Sequence, residues 1–145
     1  MTSPRAEPVR AELEVPRAFS ALEAIFKRLD TVLQDPRVDD RTVYVIRLAV
    51  EELFTNMVKY NPDGDPAIGI TAVLDSGSIM VSMMDRGGTP FDVTAARTPD
   101  LDLPMEGRRV GGLGLHLVRK LVDRLEYSHE DGQTTITFIK TLEQQ

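Results

Sequence analysis

The stretch "EELFTNMVKY", residues 51–60, places polar groups in a run that is otherwise typical of a buried helix face. On a helix, Glu52 and Asn56 are neighbours, because residues four apart lie one turn apart on the same face. Glu51 points about 100° away, toward the polar side. The pair lies at the margin of the apolar stripe, where a carboxylate and an amide could face a cleft and bind a polar ligand. The alternative is a solvated acid beside an Asn with no special role.

A second motif, "DRGGTPFD", covers residues 85–92 and follows a methionine-rich apolar strand. Asp85 stands where this strand ends, directly before Arg86, Gly87 and Gly88. A carboxylate on a cleft wall can accept hydrogen bonds from an exocyclic amine. The alternative is an Asx turn whose glycines supply positive φ angles.

The third motif is "GGLGLHLVRK", residues 111–120, where glycines precede an amphipathic helix. Glycines at that place let the free N–H groups and the positive dipole end of the helix approach a phosphate. A dinucleotide-binding loop of the Rossmann type is a poor match, because these glycines follow an irregular loop rather than a strand. A helix entry without a ligand is the alternative.

Hydrophobic periodicity predicts the elements that position these motifs. Alternating residues predict strands at 9–15, 68–74 and 79–85, and helical spacing predicts helices at 17–34, at 39–60 and from the glycines of the third motif onward. Two last strands, near "RLEYSHE" and "TTITFIKTL", are predicted to turn at Asp131–Gly132. Residues 86–110 are predicted to form a long loop. The elements together predict an α+β fold, a two-layer sandwich of a mostly antiparallel sheet with its helices on one face.

Composition limits the classes of function. A chain of 145 residues is predicted to form a single domain, residues 9–145, after a flexible arm of residues 1–8. It has no cysteine, which excludes disulfides and thiolate chemistry. A net charge of −6 with scattered Lys and Arg argues against nucleic-acid binding. No signal peptide or membrane span is present in the sequence pattern, so a cytoplasmic location is expected.

In this order, "ELFTN", "DRGGTPFD" and "GGLGLHLVRKLVD" resemble the ATP-binding (GHKL, or Bergerat) fold shared by gyrase, heat-shock chaperones, histidine kinases and MutL. Within that group the chain resembles the small anti-sigma factor serine kinases of bacterial partner-switching, from about residue 9 to the C-terminus. It departs from their pattern at two places. One extra residue between Asp85 and Pro90 leaves open whether Gly87 or Gly88 approaches the base, and Tyr60 stands where the first motif usually ends in histidine.

The resemblance implies a role for each motif. Asn56 would give its side-chain oxygen to Mg²⁺, and Glu52 would orient or deprotonate a serine hydroxyl of a protein substrate. Asp85 would accept the adenine amino group, helped by Gly87 or Gly88. The remaining ATP contacts that the resemblance implies are Arg109, Gly111, Gly112, Leu113, Gly114, Leu115 and Thr134. His116 and His129 have no paired ligand spacing and are expected to be structural or solvent-exposed.

The resemblance also implies a function: an ATP- and Mg²⁺-dependent protein-serine kinase that phosphorylates a STAS-domain antagonist and sequesters a sigma factor, with a homodimer left open. The main alternative is a non-catalytic, nucleotide-sensing anti-sigma module that only switches binding partners. An intact Glu52 favours the kinase. A detached histidine-kinase ATP domain is a weaker interpretation, because the chain has no phosphoacceptor helix pair and its lid is short.

Overall fold

The computed structural model describes residues 7–87 and 112–143, with backbone alone for Gly112 and Leu113. Most of the predicted arm and of the predicted loop therefore lies outside the described residues. The elements, in chain order, are β1 (Val9–Pro16), α1 (Leu22–Leu33), α2 (Asp40–Tyr60), β2 (Ala67–Asp75), β3 (Ser78–Arg86), α3 (Gly112–Leu121), β4 (Arg124–Glu130) and β5 (Gln133–Thr141).

The five strands form one sheet in the order β1-β2-β3-β5-β4, and each neighbouring pair is antiparallel. Alternate residues along the strands are buried, as the period of two predicts, so one face of the sheet belongs to the core. The turn between β4 and β5 has positive φ at both Asp131 (52°) and Gly132 (76°). Two such residues are what a two-residue hairpin turn requires, and the predicted hairpin is confirmed.

The helices cover the buried face of this sheet. One continuous apolar core contains residues of all three helices and of β1, β2, β3 and β5. Helix α2 begins at an N-cap, Asp39, whose side chain accepts a hydrogen bond of 2.9 Å from the Thr42 amide. The structure thus confirms the predicted two-layer α+β sandwich. In the part of the chain that the structure describes, no helix is both long and apolar enough to span a bilayer.

The predicted start of the first helix, at residue 17, is wrong. Helix α1 begins at Leu22, after a short 3-10 turn at Phe19–Ala21, and Ala18 is extended, with φ −154° and ψ 143°. A long-range contact explains the difference, because the Arg17 amide donates a 2.8 Å hydrogen bond to the Pro66 carbonyl. Periodicity cannot detect such a contact, which holds the chain extended for two more residues.

The loop after α2 brings the first two motifs together. Asn61 ends the helix, and its amide donates a 3.1 Å hydrogen bond to the Met57 carbonyl. Four residues later the Asp65 amide donates a 2.8 Å bond to the carbonyl of Arg86, the last residue of β3. The C-terminal end of α2 therefore lies beside the end of β3, where Asp85 stands.

Candidate functional site

Asn56 is buried, with 3% of its surface exposed, so it lies deeper than the stripe margin that the sequence predicts. Its Nδ2 donates a 2.6 Å hydrogen bond to the Glu52 carbonyl, one turn earlier on α2. This bond fixes which atom of the amide is the oxygen, because a carbonyl can only accept. Among the buried side-chain polar atoms of the described residues, Asn56 Oδ1 is the one without a hydrogen-bond partner. A buried acceptor left free in this way is costly to the fold and is a candidate ligand atom.

Glu52 belongs to α2, and its side chain lies against the first turn of α3. Its carboxylate occupies the space beside Gly114, since a Cβ built on that glycine would overlap the carboxylate atoms. The third glycine of "GGLG", Gly114, is therefore required because a side chain at that position would collide with Glu52. The first and third motifs meet at this contact, although Glu52 and Gly114 are 62 positions apart in the chain.

Half-burial changes the acid strength of Glu52. Desolvation raises the pKa of Glu52 above its ordinary value, the neighbouring Glu51 carboxylate raises it further, and Lys59 acts in the opposite direction. Glu51 itself is exposed, as its position on the helix predicts. A carboxylate with a raised pKa binds a proton more readily, which suits a group that takes one from a hydroxyl.

Asp85 lies at the other end of the site and is 4% exposed. Its carboxylate pairs with both terminal nitrogens of Arg17, and the two side chains are 6% and 5% exposed. Asn61 Nδ2 donates a further hydrogen bond of 2.9 Å to Asp85 Oδ2 and one of 3.1 Å to the Gly87 carbonyl. The second motif thus begins with an acid that is part of a buried, charged network rather than with an isolated acid.

Thr134 lies directly opposite Asp85, on β5, and is buried. Its hydroxyl is 2.8 Å from Nδ1 of His129 on β4, and that histidine is exposed at the surface, as the sequence predicts. Gly87 has a left-handed φ of 74°, and its amide donates a 3.0 Å hydrogen bond to the Gly132 carbonyl. Asp85, Gly87 and Thr134 therefore share one end of the sheet.

The other predicted contacts divide into two groups. Gly112 and Leu113 begin α3, and the Leu115 side chain is buried in the core at 2% exposure, so only its backbone could face a ligand. Gly88, Arg109 and Gly111 lie outside the described residues.

Sequence reasoning missed Arg17 and Asn61. Arg17 reads as the first residue of a helix and Asn61 as a turn residue, because both act through long-range contacts. The nearest signal in the sequence is that Asn61 follows Asn56 by five residues at the end of α2. Since a helix rises about 1.5 Å per residue, Asn61 lies further along the helix axis than Asn56, toward the end of β3.

The fold and this site define a class of protein. The family description "Histidine kinase-like ATPase domain" matches residues 15–140, and the chain belongs to that family. The family is one of ATPase domains, so ATP is the nucleotide that the site is expected to hold. The predicted family and fold class are confirmed.

Relatives give the class more detail. The chain is 27% identical to the serine/threonine-protein kinase BtrW of Bordetella bronchiseptica over 122 residues, which cover 83% of this chain and 84% of BtrW. It is 31% identical to the serine-protein kinase RsbW of Halalkalibacterium halodurans over 91 residues, 60% of this chain and 56% of that protein. The anti-sigma F factor of Geobacillus kaustophilus is 28% identical over 108 residues, 73% of this chain and 72% of that protein. The predicted enzyme class, a protein serine/threonine kinase, is confirmed by the names of the first two relatives.

A solved structure agrees with the fold. The crystal structure of the RsbU and RsbW domains of a Mycobacterium tuberculosis protein superposes with a TM-score of 0.65 at 21% identity. The superposition covers 92% of this chain and 33% of that chain. At this identity the similarity shows the fold alone.

Proposed function

We propose that this protein is an ATP-dependent serine-protein kinase and anti-sigma factor that phosphorylates a STAS-type antagonist and sequesters a sigma factor in the cytoplasm. One observation carries the proposal: a half-buried carboxylate, Glu52, stands one turn from a buried amide oxygen that has no partner within the described residues, Asn56 Oδ1. The names of the serine-protein kinase and anti-sigma relatives support it.

The residues present fit a magnesium ion. Mg²⁺ prefers oxygen ligands, keeps several waters and takes few protein ligands, so one amide oxygen on a rigid helix is adequate. Asn56 Oδ1 would hold the ion, and its Nδ2 bond to the Glu52 carbonyl keeps the oxygen oriented. Mg²⁺ bound there would neutralise charge on the phosphate oxygens of ATP.

In the proposed reaction a serine hydroxyl of the antagonist attacks the γ-phosphorus of ATP. The new bond joins the serine oxygen to phosphorus, and the bond between phosphorus and the β,γ-bridging oxygen breaks, so that ADP leaves. Glu52 orients the hydroxyl and accepts its proton, the positioning role of a carboxylate in phosphoryl transfer. The absence of a side chain at Gly114 lets Glu52 occupy this place.

The direct test is incubation of the protein with labelled ATP, Mg²⁺ and the STAS-domain proteins encoded in the same genome. Label on a serine of one antagonist supports the kinase, and mass spectrometry of the product identifies the acceptor. Binding of ATP without transfer to any antagonist would favour the non-catalytic module instead. Binding of a sigma factor is measured separately, because either function could include it.

Gly114→Ala is expected to keep the fold and lower phosphoryl transfer by about 100-fold. The added methyl group overlaps the Glu52 carboxylate, which lies at the end of a flexible side chain and can move aside. The cost to stability is therefore small, whereas a reacting group displaced by about 1 Å can cost about 10²-fold in rate. Single-turnover transfer and thermal unfolding are measured on the same preparation.

A double substitution provides the control. In a Glu52→Gln background, Gly114→Ala should lower transfer little further, because both changes act on the same carboxylate. Full additivity of the two losses, or a fall in ATP affinity that accounts for the whole effect, would instead assign Gly114 to phosphate binding.

Asp85→Asn is expected to weaken adenine nucleotides selectively, because an amide presents a donor where the base presents its amino donor. The ratio of ATP to GTP affinity should fall, and calorimetric titration of both nucleotides measures it. The change also breaks a buried ion pair, which costs about 3–5 kcal/mol of stability, so titrations are run well below the unfolding temperature of the variant. A wild-type preference for ATP in the folded variant would rule out this role of Asp85.

A further inference from the structure

Arg17, the first residue after β1, is a buried cation with four directed contacts. Its Nε donates to the Asp65 carbonyl at 2.9 Å, and its Nη1 donates to the Met57 carbonyl at 3.2 Å. Nη1 also donates to Asp85 Oδ2 at 3.3 Å, and Nη2 donates to Asp85 Oδ1. The guanidinium thus joins the end of α2, the following loop and the end of β3, at 6% side-chain exposure.

The hydrogen bonds to Asp85 are distributed unequally between its two oxygens. Oδ2 accepts from Arg17 Nη1 and from Asn61 Nδ2, whereas Oδ1 accepts only from Arg17 Nη2 among the residues that the structure describes. A carboxylate oxygen offers roughly two acceptor directions. Within the described part of the chain, Oδ2 is therefore saturated, and Oδ1 keeps one acceptor direction that a donor from outside this network can use.

The backbone is built around this guanidinium. A Cβ on Gly64 would overlap the Arg17 head group, so the loop after α2 needs a glycine at that place. The loop is held from both sides, by the bond from the Arg17 amide to Pro66 and by the bond from the Asp65 amide to Arg86. The position of the guanidinium is thus determined by backbone atoms, and it determines in turn the orientation of the carboxylate.

Stability alone is a weak explanation for such a pair. Apolar residues of similar volume often replace a buried ion pair without loss of stability, because desolvation of the two charges offsets their attraction. A fixed carboxylate with one remaining acceptor direction, however, is well suited to recognise a single N–H donor.

We propose that Arg17 and Asn61 are positioning residues for base selection, which saturate Oδ2 of Asp85 and present Oδ1 as a lone acceptor. A purine with an amino group facing Oδ1 supplies the missing donor, as adenine can. A purine with a carbonyl there, such as guanine, places two acceptors together. This inference rests on the proposed function, in which Asp85 contacts the adenine ring.

The test measures ADP and GDP affinities by calorimetry in the presence of Mg²⁺, so that no phosphoryl transfer is involved. Arg17→Lys keeps the positive charge but loses the fork that contacts both oxygens. We expect the ratio of ADP to GDP affinity to fall by about tenfold, the value of one hydrogen bond to a charged group. Arg47→Lys is the matched control, because Arg47 forms an exposed ion pair with Asp30 on the helices and should leave the ratio unchanged.

Two further variants make each outcome decisive. If Asp85→Asn lowers the ratio and Arg17→Lys does not, Arg17 serves the fold alone and the inference is overturned. If neither changes the ratio, the adenine role of Asp85 is wrong, and the inference fails with that part of the proposed function. Should Arg17→Lys not fold, Asn61→Ala decides, because it opens a second acceptor direction on Oδ2: a lowered ratio supports the inference and an unchanged ratio overturns it.

Discussion

Glu52→Gln is expected to bind ATP and the proposed sigma-factor partner with near wild-type affinity while phosphoryl transfer falls by about 10²–10⁴-fold. Glutamine keeps the size of the side chain and much of its hydrogen bonding, but it has no negative charge with which to accept a hydroxyl proton. The contact with Gly114 is preserved, because the two side chains have nearly the same shape. Transfer to the antagonist in a single turnover and ATP affinity by calorimetry separate catalysis from binding.

Glu51→Gln is the matched control for this substitution. Glu51 precedes Glu52 on the same helix and carries the same charge, but it is exposed to solvent. Transfer by this variant should stay close to that of the wild type. If both substitutions leave transfer unchanged, Glu52 is a solvated acid at the edge of a cleft and has no part in the reaction. If the wild type itself transfers phosphate to no antagonist, the non-catalytic module becomes the better explanation.

The raised pKa of Glu52 also predicts how transfer depends on pH. Glu52 accepts a proton only in its ionised form. Desolvation makes this form less favourable, so Glu52 becomes protonated at a higher pH than an ordinary glutamate does. Wild-type transfer should therefore fall as the pH is lowered through this raised pKa. The residual transfer of Glu52→Gln should lack that acidic limb, and an unchanged limb in the variant would assign it to another group.

Asn56→Ala is expected to abolish the magnesium-dependent part of ATP binding. The substitution removes Oδ1, and within residues 7–87 and 112–143 no group of three His, Cys, Asp or Glu side chains could hold the ion instead. Loss of a residue that only hydrogen-bonds a metal ligand already lowers metal affinity by about 10–100-fold. Loss of a direct ligand should therefore lower it at least as much. Calorimetric titration with ATP, with and without Mg²⁺, measures the difference.

Two comparisons control the Asn56 experiment. Asn56→Asp keeps an oxygen at the same place and should retain more of the magnesium dependence than Asn56→Ala does. Thr55→Ala removes a hydroxyl that is bonded to backbone carbonyls of the same helix and should leave ATP binding unchanged. Equal affinity of wild type and Asn56→Ala for ATP in the presence of Mg²⁺ would contradict the assignment.

Local patterns in the sequence were sufficient for most of the fold. Apolar periods of two and of 3.6 residues predict all five strands and the helices, because side chains alternate along a strand and recur every turn along a helix. The Asp131–Gly132 turn follows from residue types that tolerate positive φ. The start of α1 was predicted wrongly because Arg17 is held by Pro66, a contact that no local pattern contains.

The sequence by itself also determined part of the site. Helical geometry places Glu52 and Asn56 on one face and turns Glu51 away from them, since an interval of four residues is one turn. Helical geometry does not, however, determine which polar atoms of these residues lack a hydrogen-bond partner. The burial of Asn56, the lack of a partner for its Oδ1 among residues 7–87 and 112–143, and the contact between Glu52 and Gly114 depend on how α3 packs against α2.

The tertiary structure alone decided the surroundings of Asp85. Its ion pair with Arg17 joins residues 68 positions apart, and its bond with Asn61 spans 24 positions. Interactions at such distances depend on the sheet register and on the loop after α2, and periodicity describes neither of them. Local spacing therefore determined which residues share a face, whereas the packing of helices and strands decided which charges meet and which acceptor atoms remain available.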